Sequence, residues 1–157
     1  VSAKIEVRRQ LADDAPRYLV DPRLLKLALF NLFSNALEAI RKCNPDHNAH
    51  GWIRLITSRS PEGGVCIAVQ DSGKGILNRQ GNRAEPHEIE KIFELGYTSR
   101  RVGGGQGAGV GPNWGRAIQE DLHGGSIRAE NSDDGGASFI LTFPTLEKAM
   151  EKAGEEE

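Results

Sequence analysis

The sequence predicts an α+β domain in which a mixed sheet is covered on one face by helices. Short β-rich segments stand near both ends and in the middle of the chain, and one long segment of helical periodicity separates the first two. No repeating strand–helix–strand unit is present, which favours α+β over α/β. A length of 157 residues suits one domain with a sizeable core, so we expect residues 1–157 to form a single domain.

The first predicted elements are a strand and a long helix. Polar and apolar residues alternate over residues 3–8, which is typical of a half-exposed strand. Asp21 before Pro22 is the pattern of a helix N-cap followed by proline in the first turn. Apolar residues then recur at helical spacing until Asn44 and Pro45 end the pattern.

A β-hairpin follows the long helix. Two β-rich runs, residues 52–57 and 65–70, flank the turn sequence PEGG at residues 61–64. Asp71 stands where the second of these strands is predicted to end. The hairpin therefore places a carboxylate at the end of a strand.

The remaining elements are two helices, two strands and a tail. A short helix is expected at residues 87–93 and a second one at residues 113–123, closed by two glycines. Strands at residues 126–130 and 137–143 flank the turn sequence DDGG. The charged tail from Leu146 predicts a frayed helix.

Charge and cysteine content exclude several classes of protein. The net charge of −2 gives no basic excess, so we expect no nucleic-acid partner. Cys43 and Cys66 lack metal-ligand spacing and indicate reduced thiols in a cytoplasmic protein. No apolar run approaches the roughly 20 residues that cross a bilayer. We expect a soluble, monomeric domain, whose parent protein could still be membrane-anchored.

Three polar residues share one face of the predicted long helix. Asn31 and Asn35 are four residues apart, and Glu38 follows at the next turn. Polar groups in so apolar a helix need partners, and the carbonyl oxygen of asparagine is a suitable neutral ligand for a divalent cation between phosphate oxygens. Considered alone, such residues more often have their polar groups hydrogen-bonded at a helix surface and bind no ligand.

Two glycine-rich segments have the chemistry to contact a nucleotide. Asp71 precedes SGKG, where the carboxylate can accept a hydrogen bond from an amine such as that of adenine and the glycines let the backbone approach a flat ring. A simple strand-ending turn fits this segment equally well. The run GGGQGAGVG at residues 103–111 offers backbone N–H groups to anionic oxygens, but it is neither a Rossmann nor a Walker motif and alone suits a flexible loop.

Four motifs in this order resemble the ATP-binding catalytic domain of two-component sensor histidine kinases, in the superfamily shared with gyrase, the Hsp90 chaperones and the MutL repair proteins. Residues 31–40 resemble its N box, residues 71–75 its G1 box, residues 92–100 its F box and residues 103–111 its G2 box. The resemblance covers nearly the whole chain. It implies a two-layer, Bergerat-type fold with a mostly antiparallel sheet, and an ATP lid at about residues 94–111.

The resemblance also implies roles for individual residues. Asn35 would ligate Mg²⁺ and act with Arg100 in phosphoryl transfer, Asp71 would bind the adenine amino group, and Ser138 would lie near the adenine. The cofactors implied are ATP and Mg²⁺. The nucleotide-binding residues implied are Asn31, Asn35, Glu38, Asp71, Gly73, Gly75, Ile76, Phe93, Thr98, Gly107, Gly109, Gly111 and Ser138.

Two positions depart from the commoner pattern of that family. Pro112 stands where leucine usually follows the G2 box, which removes one N–H donor near the phosphates. Glu38 stands where many of these kinases carry lysine, as in the nitrogen-regulatory and sporulation type of sensor. Phosphate charge must then be met elsewhere, by Arg100 or with the help of Arg41 or Lys42.

The function implied is transfer of the ATP γ-phosphoryl group to a histidine. None of the four histidines has a setting that resembles a phosphoacceptor helix, so we expect the acceptor in a separate dimerisation domain of the parent protein, absent from this chain, with a response regulator downstream. Asn31 stands where gyrase-like ATPases carry a general-base glutamate, which disfavours hydrolysis. The alternative is a degenerate or anti-sigma-type nucleotide-binding module that acts through a partner surface.

Overall fold

Eight helices and strands make up the part of the chain that the computed structural model describes, residues 4–18, 20–43, 50–94 and 125–155. Every element predicted within these ranges is present, and the helix predicted at residues 113–123 lies outside them. In chain order the elements are β1 (Lys4–Gln10), α1 (Pro22–Cys43), β2 (His50–Arg59), β3 (Val65–Asp71), α2 (Pro86–Glu94), β4 (Ser126–Asn131), β5 (Ala137–Phe143) and α3 (Leu146–Glu155).

The strands form a single sheet in the order β1-β2-β3-β5-β4. β1 pairs with β2 in parallel, and the other three neighbouring pairs are antiparallel. The predicted mixed, mostly antiparallel α+β fold is therefore confirmed. Because β3 is the central strand, its last residue, Asp71, has a strand on either side.

Helix α1 begins as the sequence predicts. The backbone N–H of Arg23 donates to Oδ1 of Asp21 at 2.9 Å, so Asp21 is the N-cap and Pro22 occupies the first turn. Four buried residues at a spacing of four form one stripe along the helix. They are Ala28, Leu32, Ala36 and Ile40.

The core lies between this stripe of α1 and one face of the sheet. Its most buried sheet residues are Ile53, Val69 and Leu141, one from each of the three central strands. The opposite face carries a different set of side chains, in which the Arg8 and Arg54 guanidinium carbons lie 5.3 and 4.6 Å from the ring centroid of Trp52. The alternation of side chains along the strands thus separates an apolar face from a polar one.

The predicted hairpin joins β2 to β3 through a tight turn. Ser60 donates its backbone N–H to the carbonyl oxygen of Gly64 at 2.9 Å, and its hydroxyl oxygen accepts the N–H of Gly64 at 2.8 Å. Gly63 has a φ of +88°, in the left-handed region that favours glycine. The PEGG sequence therefore forms the turn that its composition predicts.

No described helix combines the length and the apolar character that crossing a membrane requires. Cys43 and Cys66 are free thiols and half-buried. Within the described ranges no three histidine, cysteine, aspartate or glutamate side chains cluster as a metal site would need.

Candidate functional site

Asp71 is a buried carboxylate at the end of β3, with 2 % of its surface exposed. Its Oδ1 accepts the backbone N–H of Gly73 at 2.8 Å and that of Ala137 at 3.4 Å. Its other oxygen, Oδ2, accepts no hydrogen bond from the described part of the chain. One oxygen therefore fixes the local backbone, and the other has no donor among the described residues.

Burial raises the pKa of the Asp71 carboxyl, and the hydrogen bonds from Gly73 and Ala137 offset part of this rise. No cation among the described side chains pairs with Asp71. A buried carboxylate without a counter-ion opposes folding when it is ionised. Such a group is a candidate for function rather than for stability.

The turn that follows Asp71 packs directly against helix α1. A Cβ on Gly73 would lie 2.8 Å from Cβ of Ala39 and 2.9 Å from Oδ1 of Asp71, so only glycine allows this approach. Ala39 lies four residues after Asn35 and next to Glu38 on α1. The contact therefore brings the glycine turn to the part of α1 that carries the predicted polar residues.

Ser72 ties the same turn to strand β2. Its hydroxyl oxygen accepts the N–H of Trp52 at 2.9 Å, and its own N–H donates to the Trp52 carbonyl oxygen at 3.2 Å. Gly51 leaves the space for this, because a Cβ there would lie 2.8 Å from the Ser72 hydroxyl. Sequence reasoning gave Ser72 no role. The signal that could have revealed one is a hydroxyl immediately after a strand.

Strand β5 approaches Asp71 from the other side through its first residues. A Cβ on Gly136 would overlap the carbonyl oxygen of Asp71, and Ala137 makes the hydrogen bond described above. Ser138 pairs in register with Gln70, and alternation puts its side chain on the sheet face opposite to Phe139, which packs on the core. The structure therefore does not bring the Ser138 hydroxyl to the Asp71 carboxylate.

The polar residues of α1 occupy half-buried positions on the helix. Asn31, Asn35 and Glu38 are all partly exposed. The carboxylate of Glu38 pairs with the ammonium of Lys42 at 3.1 Å, one turn further along α1. Lys42, which sequence reasoning considered as a source of positive charge, is thus bound to the carboxylate that replaces the family's commoner lysine.

The remaining predicted site residues fall in helix α2, in the turn after β3 or outside the described ranges. Phe93 belongs to α2, but the placement of its side chain is outside what the structure describes. Gly75 and Ile76 belong to the turn after β3, where Gly75 has a φ of +83°. The predicted residues outside the described ranges are Thr98, Arg100, Gly107, Gly109 and Gly111.

Fold and site together define a class of protein. The fold is a mixed sheet with helix α1 packed on one face. A buried carboxylate stands at the end of its central strand, and a glycine turn packs against the helix that carries the two asparagines. These features are those of an α+β nucleotide-binding domain. Residues 20–147 match the family described as "Histidine kinase-, DNA gyrase B-, and HSP90-like ATPase". The chain belongs to this family of ATP-binding domains, and the predicted resemblance is confirmed.

Curated relatives of the chain are sensor proteins. The sensor histidine kinase ZraS of Escherichia coli (strain K12) is 34% identical over 143 residues, which are 91% of this chain and 26% of ZraS. The sensor protein ChvG of Rhizobium meliloti (strain 1021) is 36% identical over 127 residues, which are 76% of this chain and 20% of ChvG. The chain thus spans about a quarter of the length of these relatives, or less.

Solved structures of a histidine kinase share the fold. The nucleotide-free catalytic domain of histidine kinase ThkA is 27% identical, with a TM-score of 0.62 over 92% of this chain and 82% of that chain. A second structure shows ThkA in complex with the response regulator protein TrrA, at 26% identity and a TM-score of 0.61, covering 92% of this chain and 35% of that chain.

Proposed function

We propose that this domain binds ATP between α1 and the turn after β3, and transfers the γ-phosphoryl group to a histidine on a separate domain of its parent protein. The observation that carries the proposal is the contact of Gly73 with Ala39, which joins the Asp71 turn to the Asn35 face of α1. The names of the relatives, sensor histidine kinases, support the reaction. In this proposal different residues contact the two ends of the nucleotide, Asp71 at the adenine and Asn35 at the phosphates.

At the adenine end, Oδ2 of Asp71 would accept a hydrogen bond from the exocyclic amine. Burial strengthens this hydrogen bond because little water competes for the carboxylate. Guanine presents a carbonyl oxygen at the equivalent ring position, and two acceptors facing each other would repel. Gly73 and Gly75 carry no side chains, so the backbone can approach the face of the ring.

At the phosphate end, the amide oxygen of Asn35 would hold Mg²⁺. The donor set fits, because this cation prefers oxygen ligands and is commonly held by few protein groups together with substrate phosphates. When bound, Mg²⁺ offsets the negative charge that builds up on the transferring phosphoryl group. Arg100, Thr98 and three glycines of the predicted lid are proposed phosphate contacts on the resemblance alone. These glycines are Gly107, Gly109 and Gly111.

The acceptor histidine is proposed to come from outside this chain. His50 begins a strand and His87 lies in the first turn of the nine-residue helix α2, so neither described histidine has the long-helix setting expected of an acceptor. Asn31 lacks the basic carboxylate that would activate a water molecule, which favours phosphoryl transfer over hydrolysis. A response regulator is the proposed downstream partner, and the complex of ThkA with one supports this.

Calorimetric titration tests the binding half of the proposal. We expect ADP and a non-hydrolysable ATP analogue to bind, more tightly with Mg²⁺ than without, and GTP to bind weakly. Asn35→Ala should remove the effect of Mg²⁺ and leave the preference for adenine. Equal affinity for GTP, or a Mg²⁺ effect that survives in Asn35→Ala, would contradict the assignment. The reaction is tested by adding the helical acceptor domain of the parent protein with labelled ATP and measuring acid-labile phosphohistidine.

A further inference from the structure

The side chain of Asn131 joins strand β4 to the segment that follows the glycine turn. Its Oδ1 accepts the N–H of Ile76 at 2.7 Å, and its Nδ2 donates to the carbonyl oxygens of Ile76 at 3.1 Å and of Ala84 at 3.0 Å. One side-chain amide thus satisfies both backbone groups of Ile76. The same carbonyl oxygen of Ile76 also accepts the backbone N–H of Ala84 at 2.8 Å, so the side chain of Asn131 reinforces a backbone pairing beside the bridge between Leu77 and Arg83.

Only an amide can make these three hydrogen bonds. Ile76 offers a donor to Oδ1, and the two carbonyl oxygens require a donor at Nδ2. An aspartate of the same shape would keep the first bond, but it would place a carboxylate oxygen against two carbonyl oxygens. The substitution Asn131→Asp therefore changes the chemistry of this contact without changing its size.

Arg83 makes a second link between the same two parts of the chain, in the opposite direction. Its guanidinium donates to the carbonyl oxygens of Ser132 and Gly135, and at 3.5 Å to that of Gly136. Asn131 thus reaches from the sheet to the segment after the glycine turn, and Arg83 reaches from that segment back to the β4–β5 turn. Two independent side chains fix the distance between them.

These links bear directly on Gly75. A Cβ on Gly75 would lie 2.6 Å from Oδ1 of Asn131 and 3.0 Å from Nη1 of Arg83, and its φ of +83° is one that side chains disfavour. On the far side of the β4–β5 turn, Gly136 lies against the backbone of Asp71, and Ala137 donates to its carboxylate. Asn131 and Arg83 therefore connect both backbone segments that border Asp71.

We propose that Asn131, supported by Arg83, is a positioning residue that sets the base selectivity of the site. It holds the backbone from Gly73 to Ile76 at the separation from the Asp71 carboxylate that an adenine ring requires. This inference rests on the proposed function and adds a specificity determinant to it. The side chain of Asn131 bonds to Ile76 and Ala84 and, among the described residues, neither to Asp71 nor to Asn35, the proposed Mg²⁺ ligand, so its loss should weaken recognition of the base amine before anything else.

The test compares two nucleotides that differ only at this amine, ADP and purine riboside 5′-diphosphate, by calorimetry on the full chain. We expect the wild-type chain to prefer ADP, and Asn131→Asp to reduce the ratio of the two affinities by about tenfold. A variant that is merely less folded would lose affinity for both nucleotides in proportion, and the ratio would not move. An unchanged ratio in folded Asn131→Asp therefore overturns the proposal.

Asn78→Ala is the matched control, because Asn78 lies in the same segment and its side chain bonds, among the described residues, only within that segment or to α2. Its Oδ1 accepts the N–H groups of Gln80 and Asn82, and its Nδ2 donates to Glu88. We expect its ratio to equal that of the wild-type chain, and a tenfold loss here as well would overturn the assignment to Asn131. If circular dichroism shows that Asn131→Asp is unfolded, the same ratio of affinities is measured on Arg83→Lys instead. A lysine cannot bridge two carbonyl groups as the guanidinium does, so the ratio must fall for the proposal to stand.

A wild-type chain with no preference for ADP is a different result. It would show that the proposed adenine site itself is absent, and the positioning role would fall with it.

Discussion

Two turns stand at the ends of strand β3, and a buried side-chain oxygen closes each of them. Before the strand, the hydroxyl of Ser60 accepts the N–H of Gly64 at 2.8 Å. After it, the carboxylate of Asp71 accepts the N–H of Gly73 at the same distance and that of Ala137 at 3.4 Å. A neutral hydroxyl is enough for the first turn. The second therefore carries a charge that turn closure alone does not require.

The charge has a cost that only the second turn bears. Burial raises the pKa of Asp71, which means that the folded environment disfavours its ionised form. A serine or asparagine would accept the same backbone hydrogen bonds without that penalty. The comparison teaches that one turn is closed at no electrostatic cost, whereas the other retains an unfavourable group, as the proposed binding role of Asp71 requires.

Substituting the closing residue of each turn should separate stability from binding, and this is the largest effect that we expect. Asp71→Asn keeps an oxygen for Gly73 and Ala137 but places an NH₂ group where the adenine amine should bind. The affinity for ADP should fall by about 100-fold, because a hydrogen bond to a charged group is lost and two donors then face each other. The free energy of unfolding at pH 7 should not decrease.

Ser60→Ala is the opposite case. It leaves the N–H of Gly64 without its acceptor, which should lower the free energy of unfolding by about 1–3 kcal/mol, and it should leave the affinity for ADP unchanged. Urea unfolding and calorimetry measure the two quantities on both variants. If Asp71→Asn destabilises the fold as much as Ser60→Ala does, the two turns are equivalent and the functional interpretation of Asp71 fails.

A second pair of substitutions sharpens the same comparison at two glycines. Gly64 lies against strand β5, and Gly136 is the residue immediately before that strand. A Cβ on Gly64 would overlap the carbonyl oxygen of Phe143, and a Cβ on Gly136 would overlap that of Asp71. Backbone must move in either case, so alanine at each position should cost about 1–3 kcal/mol of unfolding free energy. Only Gly136→Ala moves Asp71, and only this variant should also lose ADP affinity when measured on the folded fraction.

Equal loss of ADP affinity in Gly64→Ala and Gly136→Ala would show that distortion anywhere in the sheet weakens binding. Loss in Gly136→Ala alone would locate the sensitivity in the backbone next to Asp71. Differential scanning calorimetry and ADP titration below the unfolding transition provide both numbers.

The elements of this fold could be predicted because their signals are local. Asp21 and Pro22 mark the start of α1 within two residues, and the PEGG sequence forms the hairpin turn from neighbouring residues alone. The motif order led to the family, and β3 ends at Asp71, where the sequence predicts the end of that strand.

The contacts around Asp71 could not be predicted in the same way, because they join distant parts of the chain. Asn131 bonds to Ile76 across 55 positions, and no local pattern marks either residue as a partner of the other. The choice between Ala137 and Ser138 beside Asp71 depends on strand register. A shift of one residue turns every side chain to the other face of the sheet, and the local sequence of β5 does not show which residue of β3 each of its residues pairs with.

The pH dependence of the free energy of unfolding is the smallest effect that we expect. It tests the comparison of the two turns most directly, because only the Asp71 turn is closed by a titratable group. Because the folded-state pKa of Asp71 is raised, the folded chain binds more protons than the unfolded one between the ordinary carboxyl value, about 3.9, and the raised value. The Asp71 contribution to the free energy of unfolding therefore falls as the pH rises through this interval. Asp21 and Glu88, whose pKa values are lowered by hydrogen bonds, contribute with the opposite sign.

The difference between the wild-type chain and Asp71→Asn isolates the contribution of Asp71, since the other carboxylates are common to both. The affinity for ADP should change with pH in the opposite direction to the Asp71 contribution to the free energy of unfolding. The reason is that the ionised carboxylate accepts the amine hydrogen bond more strongly than the protonated acid does. Acidification through the raised pKa should thus stabilise the wild-type fold relative to Asp71→Asn while weakening its affinity for ADP. Urea midpoints and ADP titrations over the same pH series measure both. Parallel pH curves for the two chains, in either quantity, would mean that the buried charge is not the group that links folding to binding.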